Sequence, residues 1–214
     1  MLKGKTMART LMGHMKSSNV MKAVWLLDEL GLDYVRVDKG NVFGGLDASD
    51  YRAMNPTSLV PTLVDGDVTI WESNAILRYL CNAYAPGATL YPAEAAARGA
   101  VDQWLDCQQT QLTRPQTVVF WQLIRTPPDK RDNTALQTAI LDAGRVWGWI
   151  NARLADAPYI CGQTMTIADM AWGVHAHRWL NMVFDRPDLP NLQPWYQRLL
   201  QSESFRTKWA GPVT

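Results

Sequence analysis

The sequence predicts an α/β domain over residues 1–85, a linker at 86–92 and an all-helical domain over 93–214. Three observations predict this. Apolar spacing alternates between the strand period and the helix period over the first ninety residues. Only the helix period recurs after residue 92. A Pro- and Gly-bearing stretch, Ala85-Pro86-Gly87 through Pro92, separates the two regions. At 214 residues the chain is about 1.4 times a 150-residue domain, which admits two small domains or one large one. Hydrophobic residues make up 47% and charged residues 19%, enough for a core and too apolar for a disordered chain.

Ala8 to Met12 is a short apolar strand. Ser17-Ser18-Asn19 then supplies helix N-cap chemistry, and Val20, Ala23, Val24, Leu27 and Leu30 follow at helical spacing until Gly31 closes the helix at its C′ position. Tyr34, Val35 and Val37 form a second strand, followed by a glycine-bearing loop at Asn41–Gly45 and a helical turn near Ala48–Met54. Pro61-Thr62-Leu63-Val64 and Val68–Trp71 flank the tight-turn signal Asp65-Gly66 and read as a hairpin. Glu72-Ser73-Asn74 opens a helix carrying Ile76, Leu77, Leu80 and Tyr84. The order is βαβ-α-ββα, in which the first crossover is parallel and the hairpin adds antiparallel strands.

Beyond the linker, residues 93–124 form one long helical pattern that Pro115 is expected to kink or break, and Pro127-Pro128 ends it. Leu136, Ile140, Ala143, Trp147, Ile150 and Leu154 make an apolar stripe starting at Asp132. Thr166-Ile167-Ala168-Asp169 opens a helix reaching about Leu180, and one or two more helices run through Trp195 to Trp209.

Composition excludes several functions. Lys and Arg number 21 against 20 Asp and Glu, so the positive surplus that nucleic acid or a polybasic membrane surface requires is missing, and neither is an expected partner. Apolar runs are too short and too broken by charge to span a bilayer. Met1–Lys5 reads as a flexible leader without the apolar segment of a secretion signal. Cys81, Cys107 and Cys161 lie far apart with no CxxC, and read as structural, reduced thiols of a cytoplasmic protein. His14, His175 and His177 do not make a metal site, since residues two apart on a helix do not share a face; no metal is expected.

Three features carry chemistry. Ser17-Ser18-Asn19 places hydroxyls and backbone N–H groups at the positive end of a helix dipole, which favours an anion; a plain helix cap explains the same residues. Val60-Pro61 opens a strand after Asn55-Pro56. A cis bond there would leave the Val60 backbone free to pair with an extended peptide, whereas a trans proline would simply open an edge strand. Glu72-Ser73 either caps its helix, or offers a carboxylate to an ammonium and a hydroxyl to a carboxylate. A small peptide with a thiol, an amine and carboxylates would satisfy all three.

These runs resemble a known family. Ser17-Ser18-Asn19-Val20 with Lys22, Asn55-Pro56, Val60-Pro61-Thr62-Leu63 and Trp71-Glu72-Ser73-Asn74-Ala75-Ile76 are similar to the glutathione-binding half of cytosolic glutathione S-transferases. Leu154 to Asp169, with Gly162 and the Thr166-x-x-Asp169 capping box, resembles that family's C-terminal half. The nearest type is the bacterial theta-like or nu-like group with Ser or Asn activation.

The resemblance implies a thioredoxin-like N-terminal domain and an all-α C-terminal bundle. It implies a homodimer and glutathione as co-substrate, bound by the Val60 backbone beside a cis Pro61 and by Glu72 and Ser73 at the γ-glutamyl end. No tyrosine precedes Tyr34 and no cysteine precedes Cys81, so thiol activation falls to Ser17, Ser18 or Asn19. Ser17 stands first, with Asn19 as a second donor. The electrophile site is expected between the domains, lined by Trp104, Gln108, Gln111, Arg114 and Trp121.

Magnitudes fit this mechanism. Lowering a thiol from about 8.5 by about two units takes roughly 2.7 kcal/mol. A hydrogen bond to a charged group supplies about 1.5–3 kcal/mol and a helix N-terminus about 0.3–1 kcal/mol. The expected function is therefore attack of glutathione thiolate on a small apolar electrophile. The alternatives are a glutathione-dependent disulfide oxidoreductase that needs no enzyme cysteine, and a non-catalytic glutathione-binding protein.

Overall fold

Four strands of four residues each build a single sheet in the first half of the chain. A computed structural model describes residues 9–209 and Val213; the leader expected at Met1–Lys5 and the strand residue Ala8 lie outside them. β1 (Arg9–Met12) pairs parallel with β2 (Tyr34–Val37) and antiparallel with β3 (Thr62–Asp65), and β3 pairs antiparallel with β4 (Val68–Trp71), giving the order β2-β1-β3-β4. A parallel pair needs a crossover, and α1 (Ser18–Glu29) supplies it.

Gly31 ends α1 as its position predicts. With φ +62 it donates to the Asp28 carbonyl at 3.0 Å, and Leu32 N–H reaches back to Leu27 at 2.9 Å, a Schellman motif. The hairpin turns one residue later than the Asp65-Gly66 signal implies. Asp65 pairs with Val68, and Gly66 takes the positive-φ loop position (φ +60). α2 (Ser49–Met54) precedes the hairpin, and α3 (Ser73–Tyr84) follows it and packs on α1. This is the thioredoxin-like arrangement expected of the first half.

Among the described residues the second half has α-helices and no strand: α4 (Ala95–Cys107), α5 (Thr113–Phe120), α6 (Asn133–Arg153), α7 (Ile167–Asn181), α8 (Leu192–Leu199) and α9 (Glu203–Trp209). α5 packs on α6, α4 on α7 and α7 on α8. The stripe Leu136, Ile140, Ala143, Trp147 and Ile150 is buried along α6, whose N-cap Asp132 accepts from Ala135 N–H at 2.9 Å. α7 is buried on every side from Ile167 to Trp179. Trp147 lies edge-on to Trp172 at 5.4 Å, and Trp104 edge-on to the same ring at 5.9 Å.

Two expectations change. The interruption expected at Pro115 falls before it, at Gln108–Leu112. The chain passes from α4 into a wide π-helical turn at Gln108–Leu112, resumes as α5, and widens again at Trp121–Arg125. Pro115 thus sits in the first turn of a restarted α-helix, where its missing N–H costs little. The stretch 86–92 does not stand apart as a linker. The chain divides after Ala85, and the stretch is folded into the second unit. Tyr91 is buried there with its hydroxyl on Asp102 at 3.0 Å, and the Leu90 carbonyl accepts Ile167 N–H at 2.9 Å, satisfying one of α7's orphan donors. Among the described residues no helix is long and apolar enough to cross a membrane.

Candidate active site

The turn after β1 and the N-termini of α1 and α3 meet inside the first unit. Gly13 leaves β1 with φ +146, and a Cβ there would stand 2.5 Å from Val20 Cγ2 and 3.1 Å from Val60 Cβ. Only a glycine lets the turn pass this close, and its position fixes Val60 beside the start of α1.

Ser17 occupies the N-cap of α1 in extended geometry, and its carbonyl accepts Met21 N–H at 2.9 Å. Its hydroxyl makes no capping bond. The cap residue therefore keeps its side chain for something other than its own helix. Ser18 is the first helical residue. Asn19 is turned toward α3, where its Oδ1 accepts from the Ser73 hydroxyl at 3.2 Å.

The Val60–Pro61 bond is cis, as the family resemblance implies. The segment before it is held from below. Asn55, 1% exposed, donates through Nδ2 to the Leu59 carbonyl at 2.9 Å and to Thr62 Oγ1 at 3.0 Å, and the Tyr51 hydroxyl donates to the same carbonyl at 2.6 Å. Among the described residues the Val60 backbone takes part in no hydrogen bond. Asn55-Pro56 is thus the brace that presents a free peptide edge.

Glu72 is exposed at the N-cap of α3 with φ +68, an unusual conformation for a residue with a side chain, and makes no capping bond. Ser73 is 1% exposed. Beneath both lies Lys22, in sequence a residue of the Ser17–Lys22 motif. It is 0% exposed and donates to Ser73 Oγ at 3.3 Å and Asn74 Oδ1 at 3.2 Å. Burial lowers its ammonium to about 7, opposed by the nearby Glu72 carboxylate. The signal for Lys22 was available, since a lone charge inside the apolar run Val20–Leu27 demands a partner.

Four of the five residues expected at an electrophile site keep accessible surface on the α4–α5 run of the second unit. Trp104 is half-buried, Gln111 and Arg114 are exposed, and Trp121 is 59% exposed. Gln108 differs. It is 0% exposed, donating to Thr113 Oγ1 at 2.8 Å and lying 3.0 Å from His175 Nε2, so its amide is spent inside the bundle. Gln108, Gln111 and Trp121 sit in the two π-helical turns, a geometry common at functional sites. Two surface clefts of the second unit, about 520 and 560 Å³, are lined by other residues. Among the described residues no group of three or more His, Cys, Asp and Glu could hold a metal ion.

The models of the glutathione S-transferase N-terminal and C-terminal domains match residues 7–82 and 133–198. Glutathione S-transferase GstB of Escherichia coli is 33% identical over 207 residues, covering 96% of this chain and 99% of the relative. This chain belongs to the glutathione S-transferase family. The theta class glutathione S-transferase of Xanthomonas axonopodis pv. citri, solved with glutathione bound, is 38% identical with a TM-score of 0.92, covering 97% of this chain and 99% of that one. A rice relative, probable glutathione S-transferase GSTF2, is 32% identical over 167 residues, 75% of this chain and 76% of its own. For this transferase the likeness agrees with the theta-like resemblance. All first-unit candidates fall inside the matched segment 7–82, while Trp104 to Trp121 lie between the two matched segments.

Proposed function

We propose that this glutathione S-transferase binds glutathione in its first unit and activates the thiol at Ser17, with Ser18 and Asn19 as the neighbouring donors. The observation that carries this is the N-cap hydroxyl of Ser17, which stands at the positive end of α1 and is not used to cap it. A thiolate there gains a charge-assisted hydrogen bond and the helix dipole, together about the 2–3 kcal/mol the ionisation needs. The Val60 backbone pairs with the cysteinyl peptide, and Glu72 and Ser73 take the γ-glutamyl ammonium and carboxylate. The thiol proton goes to solvent. The sulfur then forms a C–S bond with the electrophilic carbon, and the leaving group, a halide for an aryl halide or α-halo acid, departs with the bonding pair.

Trp104, Gln111, Arg114 and Trp121 receive the electrophile, and Gln108 supports their helix through His175. The exposed apolar side chains of Val42, Phe43 and Leu59 support a homodimer. All three cysteines are free, with Cys81 pushed up to about 12 and Cys161 to about 11 by burial, which supports a cytoplasmic protein that uses no thiol of its own.

Immobilised glutathione should retain the protein, and an aryl halide should be conjugated. Failure of retention together with no conjugation of several electrophiles overturns the reading.

A further inference from the structure

We propose that Lys22 is a positioning residue for glutathione, its ammonium fixing the direction in which the Ser73 hydroxyl points its proton. This rests on the reading of Ser73 as a contact of the γ-glutamyl carboxylate.

The argument begins with what an ammonium can do. It carries three donors and no acceptor. Lys22 Nζ lies 3.3 Å from Ser73 Oγ and 3.2 Å from Asn74 Oδ1, with no exposed surface. Ser73 must therefore accept from Lys22, and its single proton is left for a partner on the other side. In the free protein that partner is Asn19 Oδ1, 3.2 Å away. Lys22, Ser73 and Asn19 thus form a chain of hydrogen bonds with one sense, running from the interior to the site.

A carboxylate arriving at the start of α3 accepts only. It meets a hydroxyl already oriented as a donor, whose oxygen is polarised by a buried cation, and it replaces Asn19 Oδ1 as the acceptor of that hydroxyl. Without Lys22 nothing bars the hydroxyl from donating inward, to Asn74 Oδ1 among others, and its outward orientation has to be selected on binding. Asn19 bonds to Ser73 in the free protein, so the residue beside the proposed thiol donor registers whether the γ-glutamyl end is in place.

A tether between α1 and α3 would use the same bonds for stability alone, and a double-mutant cycle separates the two roles. The probe is S-methylglutathione, which keeps the carboxylate and blocks the thiol, titrated into wild type, Lys22→Met, Ser73→Ala and the double variant. Each single variant should weaken binding about tenfold, and the double variant should lose little more, because both remove the same oriented donor. Amidating the γ-glutamyl carboxylate of the probe should abolish the difference between Lys22→Met and wild type, which a purely structural role would leave in place. Lys22→Gln, too short to reach Ser73, should repeat the result if the methionine variant does not fold. Penalties that multiply to about a hundredfold, or a Lys22→Met protein that binds like wild type while Ser73→Ala does not, overturn the proposal. A Ser73→Ala protein that binds like wild type overturns the site reading itself.

Discussion

The indole N–H of Trp195 donates to Asp169 Oδ1 at 3.0 Å, joining α8 to the first turn of α7. The same oxygen accepts Ile160 N–H at 2.9 Å, while Oδ2 takes Thr166 N–H at 2.9 Å and the Thr166 hydroxyl at 3.2 Å. The capping box read from the sequence is half of this arrangement; the other half ties in the preceding loop and α8. Burial raises the Asp169 carboxyl above its ordinary range and these donors oppose that rise. Asp169→Ala strands several buried donors and should cost about 3–5 kcal/mol, read as a lower urea midpoint by circular dichroism. Asp169→Asn, which turns an amide NH₂ toward at least one donor, should recover only part of the loss.

Ser17→Ala should separate chemistry from folding. The hydroxyl caps nothing, so the thermal midpoint should stay within the change expected of an ordinary surface substitution, about 0.5 kcal/mol. The rate of conjugation should fall by roughly 10- to 100-fold, and the bound thiol's pKa, followed by thiolate absorbance, should rise. Asn19→Ala added to it should lower the residual rate further. A Ser17→Ala enzyme with an unshifted thiol pKa would move the role to Ser18 or Asn19.

Gly13→Ala should damage both fold and site. The new Cβ meets Val20 and Val60, β-branched side chains with no slack, at a φ that disfavours any side chain. Strain and overpacking together should cost roughly 2–4 kcal/mol. Because Val60 is displaced, elution from immobilised glutathione should need less competitor than for wild type.

His177 should make the fold acid-sensitive. Its Nδ1 lies 2.8 Å from the Tyr196 hydroxyl, and burial, with Arg178 adding to it, lowers the imidazole to about 4. Between pH 6.5 and 4 the unfolded chain binds a proton that the folded one does not. Stability is therefore fully present above 6.5 and is lost as pH falls toward 4, by up to about 3 kcal/mol. His177→Gln should flatten the slope of the urea midpoint across that window; an unchanged slope would exclude His177 as its source.

What the sequence made legible is what local rules govern. Gly31 ends a helix because its backbone can reach positive φ, and Thr166 and Asp169 cap one because they are three apart. Gly66 turns a hairpin, and the α6 stripe is buried because its period matches a helix. What was not legible depends on partners far along the chain. The apolar run around Lys22 demands a partner for its charge, but that the partners are Ser73 and Asn74, 51 and 52 residues on, is set by tertiary structure alone. Gln108 reads as lining an electrophile site until His175, 67 residues away, meets its amide. Tyr84 lies on the apolar stripe of α3 yet is 38% exposed, its hydroxyl donating to Asp65 and its ring lying under the Arg9 guanidinium at 4.2 Å. In each case the partner is supplied by tertiary pairing that no local rule specifies.

The wide turn at Gln108–Leu112 has a consequence for how this helix tolerates change in length. A turn closed by i→i+5 bonds holds one residue more than an α-turn does. Deleting a residue there closes an ordinary turn and keeps Leu105 and Val119 facing as they do, at the cost of placing Pro115 inside a continuous helix, whereas the same deletion inside α4 or α5 swings every following side chain by about 100°. The segment is a built-in expansion joint, the one stretch of this helical run among the described residues before α5 where the chain can shed a residue while its buried face stays in register.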